Sequence, residues 1–126
     1  MNVNNSPKIF VVDDEETIHD LIALIFEEED YQITSVSNAE NLIEKISNEQ
    51  PNIILLDIHL LDGDGRDLCN MIKASSKTAH IPVLLLSALN FDGLDLSCQP
   101  DGIIEKPFDM MNIIQKVNQL LKTNRV

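Results

Sequence analysis

The sequence predicts an α/β domain on a doubly wound, five-stranded and mostly parallel sheet. Short apolar runs recur along the chain, and stretches of helical periodicity separate them. The runs do not alternate with polar residues, as expected of central strands covered by helices on both faces.

The elements follow in order. KIFVV, with its apolar part Ile9–Val12, gives the first strand, and Ile18, Leu21, Ile22 and Ile25 then recur at the i, i+3, i+4, i+7 spacing of a helix. Gln32–Val36 is a second strand, polar enough to lie at an edge, and Ala39, Leu42, Ile43 and Ile46 predict the second helix. Ile53–Leu56 is the third strand, and Leu68, Met71 and Ile72 predict a third helix. Val83–Leu86 and the weaker Ile103–Ile104 are the fourth and fifth strands. Met110, Ile113, Ile114, Val117, Leu120 and Leu121 make a final helix that ends near Lys122. One domain over 1–126, with a core over 7–122, is expected.

Twenty-one acids against nine bases give a formal charge of −12. Nucleic acid and anionic membrane surfaces both call for a basic footprint, so neither is an expected direct partner. A basic protein surface or a cation suits this charge better. No apolar run is long enough to span a membrane and MNVNNSPK lacks the apolar core of a signal peptide, so a cytoplasmic location is expected. Cys69 and Cys98 sit far apart in sequence with no CxxC or Cys/His cluster, which suggests neither a disulfide framework nor a zinc site. His19, placed on the polar side of the first helix, and His80 read as surface residues.

In KIFVVDDEE a buried strand ends in four consecutive acids. Unit charges about 4 Å apart repel by roughly 4 kcal/mol at an effective dielectric of about 20, so something must offset them. Open parallel sheets bind ligands outside the carboxyl ends of their strands. There the chain places Asp13 and Asp14, Asp57, Ser87 and Lys106, after strands one, three, four and five. With strands ordered 2-1-3-4-5 the acids of strands one and three converge. Such a carboxylate set favours a hard divalent cation, and a loose, water-retaining site suits magnesium, with manganese as an alternative. An ammonium and a hydroxyl opposite it suit a phosphoryl group, and a carboxylate between them suits a nucleophile. Glu15 and Glu16 read as first-turn helix charges instead. LDGDGRD fails the spacing of a calcium loop at Arg66 and Asp67.

FVVDDEE, LLDIHLLDGDG, VLLLSA and EKPF, in this order, resemble the receiver domains of two-component response regulators over nearly the whole chain. The resemblance implies a flavodoxin-like strand order 2-1-3-4-5. It further implies that Asp57 accepts a phosphoryl group from a sensor histidine kinase or a histidine phosphotransfer protein. Asp13, Asp14, Asp57 and the backbone carbonyl of His59 would hold magnesium, Lys106 and Ser87 would bind the phosphoryl oxygens, and Lys106–Pro107 would be cis. The output would be a downstream protein target or a homodimer, and the chemistry would be self-catalysed rather than that of an enzyme with its own substrate. The His59 side chain, beside the pocket, would influence attacking water.

Three departures bear on output. The usual proline after the acceptor is Leu61, with Gly63 and Gly65 expected to supply backbone freedom. The switching aromatic of the family's fifth strand is replaced by Ile103, which has no ring to rotate. ALNFDGLDLSCQPDGIIE is short and carries Gly93 and Pro100, so the helix 4 region, 89–99, is expected to be shortened or irregular and its partner surface altered. The alternative reading is therefore an interaction module of receiver fold that no longer switches. An aspartyl phosphatase fits less well, because His59 stands where such enzymes carry a second acid.

Overall fold

The computed structural model describes residues 6–88 and 98–123. In chain order the elements are β1 (Lys8–Val12), α1 (Glu16–Ile25), β2 (Gln32–Val36), α2 (Leu42–Glu49), β3 (Ile53–Asp57), β4 (His59–Leu60), β5 (Gly63–Asp64), α3 (Gly65–Ala74), β6 (Val83–Ser87), β7 (Gly102–Glu105) and α4 (Met110–Thr123). Five strands form one sheet in the order β2-β1-β3-β6-β7, every neighbouring pair parallel. This is the order the sequence implied, with β6 and β7 as its fourth and fifth strands. The two-residue antiparallel pair β4–β5 lies in the loop after β3 and is too short to leave a periodic signal. Of the 89–99 region expected to be irregular, residues 89–97 lie outside the described residues.

The alternation of a strand divides the core into two layers. Phe10, Val12, Ile54, Leu56 and Leu85 face α2 and α3, where they meet Leu42, Ile46, Leu68 and Ile72. Ile9, Val11, Ile53, Leu55, Leu84 and Leu86 face the other way, onto Ile22 of α1 and Ile113 and Val117 of α4. Burying each such side chain is worth about 1.5–3 kcal/mol, so both helix pairs are anchored on the middle of the sheet. Every residue of β3 and β6 is buried, whereas β2 is largely open, as its edge position requires.

The helical stripes differ in detail from the sequence pattern. On α1 the buried residues are His19, Ile22 and Ile25, continued by Phe26, while Leu21 and Leu24 are exposed. Ile18, Ile22 and Ile25 lie in or against the core as the periodicity predicts, and of the four expected residues Leu21 alone falls outside it. Met71 and Met110 are likewise exposed, at the margins of their helices' core faces. Ala39 precedes α2, which begins only at Leu42, after Asn41 in the left-handed region at φ 55°. Cys69 and Cys98 meet in the core as free thiols, Cys69 Sγ lying 3.7 Å from Cys98 O. Burial, with Cys98 alongside, pushes the Cys69 thiol up to about 12, so it is not a nucleophile at neutral pH.

Asp64 caps α3. Its Oδ1 accepts the Arg66 N–H at 2.8 Å and its Oδ2 pairs with Arg66 Nη2 at 2.8 Å. Chiefly through the Arg66 side chain, its carboxyl is held below the ordinary range.

Gly65 opens α3 for a reason other than conformational freedom. Neither Gly63 nor Gly65 lies in the left-handed region; a Cβ on Gly65 would stand 2.2 Å from Asp57 O and 2.9 Å from Ile58 Cα. The Gly65 N–H donates to Ile58 O at 2.7 Å, so α3 starts directly against the end of β3. Backbone cannot yield as a flexible side chain can. Gly65→Ala is expected to destabilise the protein by at least the ~1–3 kcal/mol of an overpacked core, read as a lower denaturant midpoint with unchanged m-value.

Candidate metal and phosphoryl site

The polar residues singled out from the sequence stand together at one edge of the sheet. Val12 pairs with Leu56 and Asp57 with Leu86, so the carboxyl ends of β1, β3 and β6 are adjacent. One carboxylate oxygen from each of Asp13, Asp14 and Asp57 lies within 4.8 Å of the other two. Ser87, the last residue of β6, is fully buried beside them in the sheet, and its carbonyl accepts the Lys106 N–H at 2.7 Å. That bond starts the Lys106 side chain from the edge of β7 toward the acids. The Lys106–Pro107 peptide bond is cis.

The three acids are held unequally. Asp13 is 0% exposed; its Oδ1 accepts the Glu15 N–H at 2.9 Å and its Oδ2 accepts Lys106 Nζ at 3.0 Å. Asp14 is half-buried, and its Oδ2 accepts the Leu61 N–H at 3.0 Å, a bond that proline at 61 could not make. Asp57 is 4% exposed yet only loosely gripped: the His59 N–H reaches its Oδ1 at 3.3 Å, and Lys106 Nζ its Oδ2 at 3.4 Å.

Electrostatics follow this geometry. Burial, then the neighbouring Asp13 charge, raises the Asp57 pKa above the ordinary carboxylate value, and Lys106 only partly counters them. Burial pulls the Lys106 ammonium down, but Asp13 and Asp57 more than offset it and its pKa lies above the usual lysine value. Lys106 pairs with Asp13 and Asp57 and lies 3.9 Å from Glu15, so a single ammonium leaves the Asp13, Asp14 and Asp57 cluster with an excess of negative charge that a divalent cation would neutralise. An all-oxygen donor set with one carboxylate half-open to water fits a hard ion such as magnesium.

Other expectations sort as follows. His59 is exposed at the rim, and Ile103 is half-buried against the α3-side core. Glu15 precedes α1 as its cap residue and Glu16 lies in the first turn. Within the acidic loop, Asp62 accepts the Ala39 N–H and Asp64 is engaged by Arg66, so both carboxylates have structural partners.

His19 corrects the sequence reading. It is 8% exposed, and its Nε2 lies 2.6 Å from the carbonyl oxygen of Asp13. A carbonyl only accepts, so Nε2 carries the hydrogen. The i, i+3, i+7 relation of His19 to Ile22 and Phe26 was the available signal.

Comparison with known proteins agrees with this geometry. The family model "Response regulator receiver domain" matches residues 9–118, and the chain belongs to that family. The DNA-binding dual master transcriptional regulator RpaA of Synechocystis is 31% identical over 95% of this chain, which spans about half (52%) of that relative's length. The receiver domain of a signal transduction histidine kinase from Syntrophus aciditrophicus is 28% identical with a TM-score of 0.85, over 95% of this chain and 93% of that one. A receiver domain of a Pseudomonas aeruginosa PAO1 sensor histidine kinase, solved with magnesium coordinated in its active-site cleft, shares the fold at TM-score 0.83 and 19% identity, over 93% of this chain and 98% of that one. No helix among the described residues is long and apolar enough to cross a membrane.

The raised Asp57 pKa makes a stability prediction. The folded state holds that proton more tightly than the unfolded chain, so stability falls as pH rises from the unfolded carboxylate value through the folded one. Above the unfolded carboxylate value the Asp57 carboxyl therefore opposes folding. Asp57→Asn, measured by thermal melting in EDTA at pH 7, is expected to raise Tm, with the gain vanishing at a pH below the unfolded carboxylate value.

Proposed function

We propose that this chain is a magnesium-dependent phosphoryl acceptor: Asp57 receives a phosphoryl group from a phosphohistidine of a sensor kinase or phosphotransfer protein and signals through protein contacts. The observation that carries the reading is the loose hold on Asp57. Asp13 has both carboxylate oxygens engaged and Asp14 has one in a backbone bond, whereas Asp57 meets its partners only at 3.3 and 3.4 Å. A buried carboxylate with long, weak hydrogen bonds is suited to act as a nucleophile.

In the transfer an Asp57 oxygen attacks phosphorus, the bond from phosphorus to the donor imidazole nitrogen breaks, and the nitrogen takes a proton as it leaves. Lys106 Nζ, which lies between Asp13 and Asp57, would follow the charge on the transferred oxygens, and the Ser87 hydroxyl would hydrogen-bond one of them. Asp13, Asp14, Asp57 and the His59 carbonyl would hold magnesium, which supplies charge neutralisation to the in-line displacement. The receiver domain over 1–126 would act in the cytoplasm, and the exposed His59 side chain would influence the water that hydrolyses the acyl phosphate.

A second reading, a receiver fold that binds partners without switching, draws on Ile103. An aliphatic residue packed against the core cannot report Ser87 movement by ring rotation. The two readings part at the chemistry.

Intact mass after incubation with acetyl phosphate is expected to show a gain of one phosphoryl group with magnesium, none with EDTA and none in Asp57→Asn. No gain under any condition would leave only the interaction module.

A further inference from the structure

We propose that His19 is a positioning residue for the acidic site: through Nε2–H it fixes the peptide plane that joins Asp13 to Asp14 and thereby sets both carboxylates for a divalent cation. This inference rests on the reading of the site given above.

The plane is shared. The Asp13 carbonyl and the Asp14 N–H belong to one rigid peptide unit, so rotating it swings the Cα–Cβ directions of the residues on either side. Asp13 is already fixed from three directions: its N–H donates to Val36 O at 3.0 Å, Oδ1 accepts from Glu15 and Oδ2 from Lys106. Its carbonyl is the remaining handle. β1 and β2 pair in register only as far as Val12 and Val36, so the parallel ladder cannot continue onto that oxygen. His19 of α1 takes it, at 2.6 Å.

The burial of His19 points the same way. The imidazole lies on the core face of α1 with Nδ1 buried and without a hydrogen-bond partner among the described residues. Packing alone would be better served by leucine, which carries no polar atom to strand in the core. The bond from Nε2 is the compensating interaction, and it goes to the backbone of a candidate ligand residue. Groups that orient ligands from behind commonly change metal affinity tenfold or more when removed.

The test compares wild type, His19→Leu and His19→Gln in their magnesium dissociation constants by isothermal titration calorimetry, with Tm in EDTA as a control for folding. His19→Leu is expected to bind magnesium roughly tenfold more weakly, and His19→Gln, which keeps an N–H donor, to recover most of that loss. A leucine variant with wild-type affinity, or a glutamine variant no better than leucine, overturns the proposal. If wild type binds no magnesium, the reading of the site fails with it; if wild type and His19→Leu bind equally, only the role of His19 fails. Should the leucine variant not fold, 15N-labelled wild type decides. A protected His19 Nε2–H resonance that shifts on magnesium addition supports the positioning role, and an absent or unresponsive one overturns it.

Discussion

Three carboxylates brought within a few ångströms at the edge of a sheet, against a single ammonium, form the constraint around which this protein is arranged. Lys106 offsets part of the repulsion by lying between Asp13 and Asp57, at 3.0 and 3.4 Å. Burial first, and then the Asp13 charge that Lys106 only partly counters, raise the pKa of Asp57. A site that is unfavourable on its own becomes a strong attractor for a small divalent cation and, with that cation, for a phosphoryl group. The free energy stored in the repulsion is what makes binding responsive rather than silent.

The fold supplies rigidity where this arrangement needs it. β1 and β3 are neighbours buried on both faces, so their carboxyl ends cannot drift apart without opening the core. Gly65 lets α3 start against the Asp57 backbone, and the Lys106 N–H is tied to the Ser87 carbonyl. The loop after β3 is bound to its neighbours by two acid-to-amide bonds, Asp14 to Leu61 and Asp62 to Ala39. Leu61 is 92% exposed, and the position contributes to the site through its backbone rather than its side chain.

The sheet was legible because β3 and β6 are uninterrupted aliphatic runs, a pattern that central parallel strands impose. The grouping of Asp13, Asp14, Asp57, Ser87 and Lys106 was legible because each follows a recognisable strand, so topology alone gathers them. On α1 the core face was legible through Ile18, Ile22 and Ile25, but its edge was not: Leu21 lies outside it. His19 was misplaced with it, since a polar residue scores against burial in any periodicity argument. The role of Gly65 was mistaken for the same kind of reason. Sequence marks a glycine as conformationally free, but only packing tells whether that freedom or the missing Cβ is being used.

The central claim is that the leftover negative charge between the strand ends is a cation site. A magnesium titration followed by 1H–15N correlation spectra tests it most directly. The account predicts saturable shifts concentrated at the amides of Asp14, Glu15, His59 and Leu61, all lost in Asp57→Asn or displaced to higher magnesium concentration. Shifts spread evenly over the acidic surface, or unchanged by that substitution, would contradict it.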